Sequence, residues 1–313
     1  MKTSSAAAEL PLTIMTLKKS PLAIAALASL LLLLPGCTRI AHYLYLSSYD
    51  RDISSAAKDI ERAGDNPHRA EAYAKRGSAY SEKARYSKAF KLISADEYNG
   101  LFNLAIKDHD QAIALDPSAE AYYTRGVTYY DRANLESVVD GQLMGTKVDR
   151  RAWFAPATAD LKIATEKDPR FDMAWDRLGL IHETTGELDE AIADYTQEMA
   201  LNPLGRVRLA DAYCARGGSS PQKNSNEKDP SQKDPGQKEK KYAGAIADYE
   251  KSLDLGATAD GCSCDPYNPL VALYTDARQY DQAWAIVHKA QKSKKWIAPE
   301  FLDKLKKESG RGN

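Results

Sequence analysis

The sequence predicts an all-α protein built from repeated helix pairs, and three observations carry that expectation. The segments AEAYAKRGSAYSEKARY, from Ala70, and AEAYYTRGVTYYDRANL, from Ala119, share Ala-Glu-Ala-Tyr, then Arg-Gly, then a tyrosine three residues after the glycine. A second set shares another layout: AIKDHDQAIALDP ends at Pro117, ATADLKIATEKDP at Pro169, AIADYTQEMALNP at Pro203 and AIADYEKSLDLGA at Ala257. Tyrosine, at 18, outnumbers phenylalanine, at 5, and the tyrosines recur at matching places. Self-similarity of this kind marks stacked supersecondary units.

Each member of the second set opens on a small residue: Ala105, Ala157, Ala191 or Ala245. Four positions later stands His109, Leu161, Tyr195 or Tyr249. Residues four apart share one helix face, so a small and a large group alternate along the face that meets the partner helix. The prolines stop the helix and turn the chain.

The stretch MAWDRLGLIHETTGELDEAIADYTQEMALNP, Met173 to Pro203, resembles the tetratricopeptide (TPR) repeat. Trp175, Leu178, Gly179, Ala191, Tyr195 and Pro203 stand at the family's spacing, while His182 and Glu198 replace its usual aromatic and alanine. The resemblance implies a TPR-type α-solenoid of about five stacked helix pairs with helical caps. First helices are expected around Gly77, Gly126, Gly179 and Ala210, and a fifth pair from Asn268 with Tyr274 and Ala283. ISSAAKDIERAGDNP, from Ile53, reads as a lone second helix capping the stack, and APEFLDKLKKESG, from Ala298, as the closing cap. KLISADEYNG, from Lys91, and VVDGQLMGTKVDRRAWF, from Val138, read as longer helices with inserted loops. Gly217–Lys241 is poor in apolar residues and is expected to be disordered.

The first residues have a separate logic. Lys18 and Lys19 precede a short apolar run, Pro21–Leu34, below the roughly 20 residues needed to span a bilayer. A basic start, an apolar middle and a small residue before the cut form a secretory signal, which begins cleanly at Met15. Leu34-Pro35-Gly36-Cys37 resembles the lipobox of bacterial lipoproteins. That resemblance implies cleavage before Cys37, a diacylglyceryl thioether on its sulfur and an acyl group on the new amino terminus. Thr38 after the cysteine, rather than Asp, favours the outer membrane in a two-membrane cell. The expected organisation is a signal peptide over 1–36 and a lipidated tether over 37–52. The solenoid over 53–297 and a capping helix and tail over 298–313 complete it.

Charge and chemistry narrow the function. The chain carries a formal −1, and the first 36 residues hold Lys2, Lys18, Lys19 and Glu9, so the remainder is near −3. That balance argues against a nucleic-acid partner. The sequence contains no phosphate loop, no Gly-x-Ser-x-Gly and no His-Glu-x-x-His. His42, His68, His109, His182 and His288 are scattered, and two of them, His109 and His182, occupy packing positions. Cys262, Cys264 and Asp265 are too few for a tetrahedral metal site, so neither metal nor cofactor is expected beyond the lipid on Cys37. In an oxidising envelope, a disulfide among Cys214, Cys262 and Cys264 is expected, leaving one thiol over.

What remains is surface. By resemblance, the first helices line a concave groove that holds peptides or partner helices. This places Lys75 and Ser78 in the first pair and Tyr123, Val127 and Tyr130 in the second. Asp176, Leu180 and Glu183 belong to the third, and Arg208 and Asp211 to the fourth. The expected function is a non-catalytic, lipid-anchored adaptor binding envelope proteins. Two alternatives stay open: an accessory factor or weak enzyme of cell-wall metabolism, and an unlipidated cytoplasmic scaffold.

Overall fold

The computed structural model describes residues 38–139, 142–143, 147–219, 235–256 and 264–311. The chain divides into two compact units, Met1–Gly145 with Trp153–Lys167 and Thr146–Ala152 with Asp168–Asn313. The leader, Cys37, Cys262 and most of the insert lie outside the described residues.

The first unit opens with α1 (Thr38–Arg62), followed by α2 (Asn66–Ala89), α3 (Ala95–Leu115) and α4 (Ala119–Ser137). A ribbon of β1 (Val138–Val139) and β2 (Gln142–Leu143) leads into α5 (Lys147–Lys167), whose part from Trp153 onward belongs to this unit. Helix starts follow local chemistry. Asp65 caps α2 by accepting the His68 amide at 3.0 Å, and Pro67 occupies the first turn, where no amide hydrogen is needed. Ser94 and Glu97 form a reciprocal capping box that starts α3. Much of the segment from Lys91 that reads as an inserted loop is therefore the first turn of α3.

The second unit contains α6 (Asp172–Thr185) and α7 (Leu188–Leu201), a 3-10 turn at Pro203–Gly205, and α8 (Arg206–Ser219). It continues with α9 (Pro235–Asp254), α10 (Tyr267–Asp276), α11 (Tyr280–Lys292) and α12 (Pro299–Ser309). Gly186, at φ 79°, ends α6 in the left-handed conformation that glycine adopts without steric cost. Consecutive helices pack together: α6 on α7, α7 on α8, α8 on α9, α9 on α10 and α10 on α11. Leu305 of α12 is fully buried in the last core cluster, with Tyr267, Leu270 and Trp284.

The fold is all-α, of TPR-type helix pairs packed in chain order within each unit. Repeats one and two (α2/α3, α4/α5) form the first unit; repeats three to five (α6/α7, α8/α9, α10/α11) form the second. One contact recurs within the pairs. A Cβ on Gly77 would lie 2.9 Å from the His109 ring, one on Gly126 3.0 Å from Leu161, and one on Gly179 would run into the Tyr195 ring. In repeat four the glycine is Gly217, whose Cβ would sit 3.1 Å from Tyr249.

Three expected boundaries change. The first helix of repeat four centres its close approach on Gly217, not Ala210, because the ring it must admit, Tyr249, faces Gly217. The segment 217–241 is helical at both ends, through Ser219 and again from Pro235. Residues 38–52, expected as a tether, belong to α1, which runs unbroken to Arg62 and packs on α2.

Candidate binding face and the pairs that set it

Three first helices carry the sequence Tyr-x-x-Arg-Gly: Tyr73-Arg76-Gly77, Tyr122-Arg125-Gly126 and Tyr213-Arg216-Gly217. The glycine admits a large side chain of the second helix (His109, Leu161 or Tyr249), and the arginine before it reaches the aspartate just ahead of that residue. Arg76 binds Asp108 through Nε and Nη2, both at 2.7 Å. Arg125 binds Asp160 in the same two-pronged way, both at 2.7 Å. Arg216 binds Asp248 at 3.0 and 2.7 Å. The three aspartates are buried. Each guanidinium also lies over its own tyrosine ring, at 5.5, 5.8 and 5.5 Å. These carboxylates hold all three arginines above their ordinary pKa.

Two arginines also reach the preceding repeat. Arg125 contacts Asp110 at 2.7 Å, and Arg216 contacts Asp189 at 2.5 Å. Each therefore joins its own hairpin to its neighbour. Repeat three differs: Leu178 precedes its glycine, and the buried Asp194 pairs instead with His182 Nδ1 at 2.5 Å.

These pairs account for much of the buried charge that would otherwise suggest chemistry. His109 is fully buried, and neither ring nitrogen has a hydrogen-bond partner in the protein. Burial pushes its pKa down to about 4, so it packs as a neutral ring against Gly77. Among the described residues, no three His, Cys, Asp or Glu side chains are grouped so as to hold a metal ion. No described helix is long and apolar enough to cross a membrane.

The residues expected to line the groove take these places. In the first unit, Lys75 is exposed and paired with Glu71 at 2.6 Å, and Ser78 is half-buried. Both border a cleft of about 720 Å³ that is also lined by Asp52, Ser55 and Asp59 of α1 and Glu120 of α4. α1 thus forms one wall of the face it was expected only to cap. Tyr123, Val127 and Tyr130 lie half-buried on α4, with the Tyr130 ring 5.6 Å from Phe154.

In the second unit, Asp176 pairs with Arg208 at 2.6 Å, and Glu183 accepts the Tyr195 hydroxyl at 2.9 Å. Leu180 and Asp211 are half-buried beside them in sequence. Burial and then the Glu183 charge raise the Tyr195 pKa, so its hydroxyl stays a donor. Glu198 is 6 % exposed, and its Oε2 has no partner in the protein. Burial and then the charge of Asp176 push its pKa up to about 7. The missing side chain of Gly205 leaves the room it fills: a Cβ there would lie 2.8 Å from the Glu198 carboxyl carbon. Arg208 and Asp211 were placed by the Ala210 register. Gly217 lies two helical turns further on, so they keep their face but sit nearer the start of α8.

Cys214 of α8 is disulfide-bonded to Cys264, with the Cα atoms 6.3 Å apart. The bond ties repeat four to the segment entering α10.

The third copy of Tyr-x-x-Arg-Gly, with its partner Asp248, is what sequence reasoning missed. The signal was present in YCARG, which repeats the Tyr, Arg and Gly of the first two copies. It was hidden because the polar insert begins on the same glycine.

Residues 174–203 match the model of the tetratricopeptide repeat family. No curated protein shows significant similarity to the chain. Among solved structures, one described as MamA is 19 % identical, with a TM-score of 0.39, over 68 % of this chain and 91 % of its own. A second, described as MamA protein, is 18 % identical, with a TM-score of 0.34, over 71 % of this chain and 97 % of its own.

Proposed function

We propose that this protein is a non-catalytic scaffold, anchored through lipid on Cys37 in a bacterial envelope, that holds envelope proteins by the exposed faces of its first helices. The observation that carries the scaffold is the repetition of one joint. Gly77, Gly126, Gly179 and Gly217 each admit a partner side chain from the second helix, and a buried aspartate beside it is held by arginine or histidine. Stacked repeats built this way present long binding surfaces rather than a closed catalytic pocket. In the first unit the cleft beside Lys75 and Ser78, and in the second unit the Asp176–Arg208 pair, each offer both signs of charge to a partner.

The anchor rests on the residues before Thr38: the lysines, the short apolar run and Leu34-Pro35-Gly36-Cys37. The Cys214–Cys264 disulfide supports an oxidising compartment, such as the periplasm. Outer-membrane attachment follows from Thr38 by the sorting pattern that lipoproteins show.

The test is the intact mass of the protein extracted from membranes. A mass starting at Cys37 plus three acyl chains supports the anchor. A mass that retains the leader, or lacks acyl groups, removes it and leaves a scaffold of another compartment.

A further inference from the structure

One end of the α1–α2 hairpin is apolar and open. Ile40 is 44 % exposed, Tyr43 70 % and Phe90 45 %. Ile40 and Tyr43 stand three apart on α1 and so share a face. Phe90 follows the last residue of α2, and its ring centroid is 4.7 Å from that of His42. The end of α2 therefore lies beside the start of α1. Behind this surface, Tyr86 is hydrogen-bonded to His42 at 2.9 Å and lies 4.9 Å from the Tyr45 ring. These rings pack on each other and on one side of Phe90, whose remaining part is open to solvent together with Ile40 and Tyr43.

Position along the chain names the occupant. α1 begins at Thr38, the residue after Cys37. At a rise of about 1.5 Å per residue, Tyr43 stands roughly 8 Å along α1 from Thr38, and groups in the headgroup layer sit about 5–10 Å deep. A membrane that holds Cys37 is thus within reach of all three side chains. Charge agrees. Neither Thr38–Tyr49 nor Arg85–Ala95 contains an acidic residue, while they carry Arg39 and Lys91, together with Lys88, which lies over the Tyr98 ring at 4.4 Å, and Arg85, which is paired with Asp131 at 3.3 Å. Basic residues flanking an apolar, tyrosine-bearing tip suit an anionic headgroup layer.

We propose that this end of the first unit seats directly in the bilayer that holds Cys37, with Ile40, Tyr43 and Phe90 in the headgroup layer. The protein then stands on the membrane by its first hairpin, with no spacer between lipid and fold. This rests on the anchor reading above.

The experiment uses the full chain, processed in bacteria and reconstituted in phosphatidylethanolamine–phosphatidylglycerol vesicles with brominated acyl chains. Tyr43→Trp is compared with Lys58→Trp, an exposed site about 22 Å further along α1. Flotation with the vesicles reports the anchor, and quenching of the added tryptophan reports the seat. The expected result is flotation of both variants, with the Tyr43→Trp emission blue-shifted and quenched at least twofold more strongly. Flotation with equal quenching overturns the seat, keeps the anchor and assigns the face to a protein partner or a second copy. Failure to float overturns both.

Discussion

Repeats three and four make the same joint under different constraints. In repeat three, α6 and α7 are separated by Gly186 and Glu187 alone. Its turn holds the helices together locally, and Asp194 is satisfied by His182. In repeat four, Ser219 ends α8 and Pro235 begins α9, so chain connectivity gives little help. Loop closure costs more as the loop lengthens, though slowly. Repeat four retains the glycine contact at Gly217 and the arginine bridge seen in repeats one and two, here Arg216 to Asp248 and Asp189, and adds the Cys214–Cys264 disulfide. A long insertion is tolerated where contacts remote in sequence replace the tight turn.

That comparison can be broken, beginning with the largest effect. Arg216→Leu leaves the buried Asp248 without its partner and should cost about 3 kcal/mol, the range for breaking a buried ion pair. Replacing Asp248 by leucine as well should recover much of that loss, read as the urea midpoint of single and double variants. If Arg216→Leu unfolds at the parental midpoint, the bridge does not hold repeat four.

Removing the disulfide by Cys214→Ser with Cys264→Ser frees a link between positions 50 residues apart and should cost about 2–4 kcal/mol. Thermal melting with and without reductant reads the same quantity on the parent. A parent insensitive to reductant would show that the bond adds nothing.

Gly217→Leu should cost about 1–3 kcal/mol by overpacking against Tyr249. The position lies where the sequence alone suggests a disordered insert, so a neutral result would restore that expectation. Gly179→Leu, against Tyr195, is the matched change in repeat three.

The smallest effect concerns Glu198, at the junction of these repeats. In the folded chain its pKa is about 7, whereas an unperturbed glutamate titrates near 4.3. Between these values the folded state binds more protons than the unfolded state, so this group makes stability fall as pH rises through that window. Glu198→Gln should raise stability at pH 8 by about 1 kcal/mol, after allowance for solvent screening, and leave it little changed at pH 4. Equal pH profiles for variant and parent would show that Glu198 titrates normally.

Much of the fold could be read from the residues. Helix pairs, the small–large spacing at Ala105, Ala157, Ala191 and Ala245, and the closing helix at Pro299 are local patterns. One local signal was passed over: Ser94-x-x-Glu97 is a capping box that starts α3 within a stretch that reads as an inserted loop. The candidate face was readable only as a set of positions. Lys75 and Ser78 were assigned without the wall that α1 supplies, and Arg208 without the Asp176 carboxylate that binds it.

The sequence by itself determined the repeat and the side-chain spacing within each helix. These depend on neighbours three or four residues apart, and a helix brings such neighbours together whatever the rest of the chain does. Only the tertiary structure decided that Arg76, Arg125 and Arg216 reach Asp108, Asp160 and Asp248, that Cys214 meets Cys264, and that α1 lines the cleft beside Lys75. Those partners lie tens of residues apart. Aspartates and arginines are common along this chain, and composition cannot say which two will meet until packing around a glycine sets the register between helices.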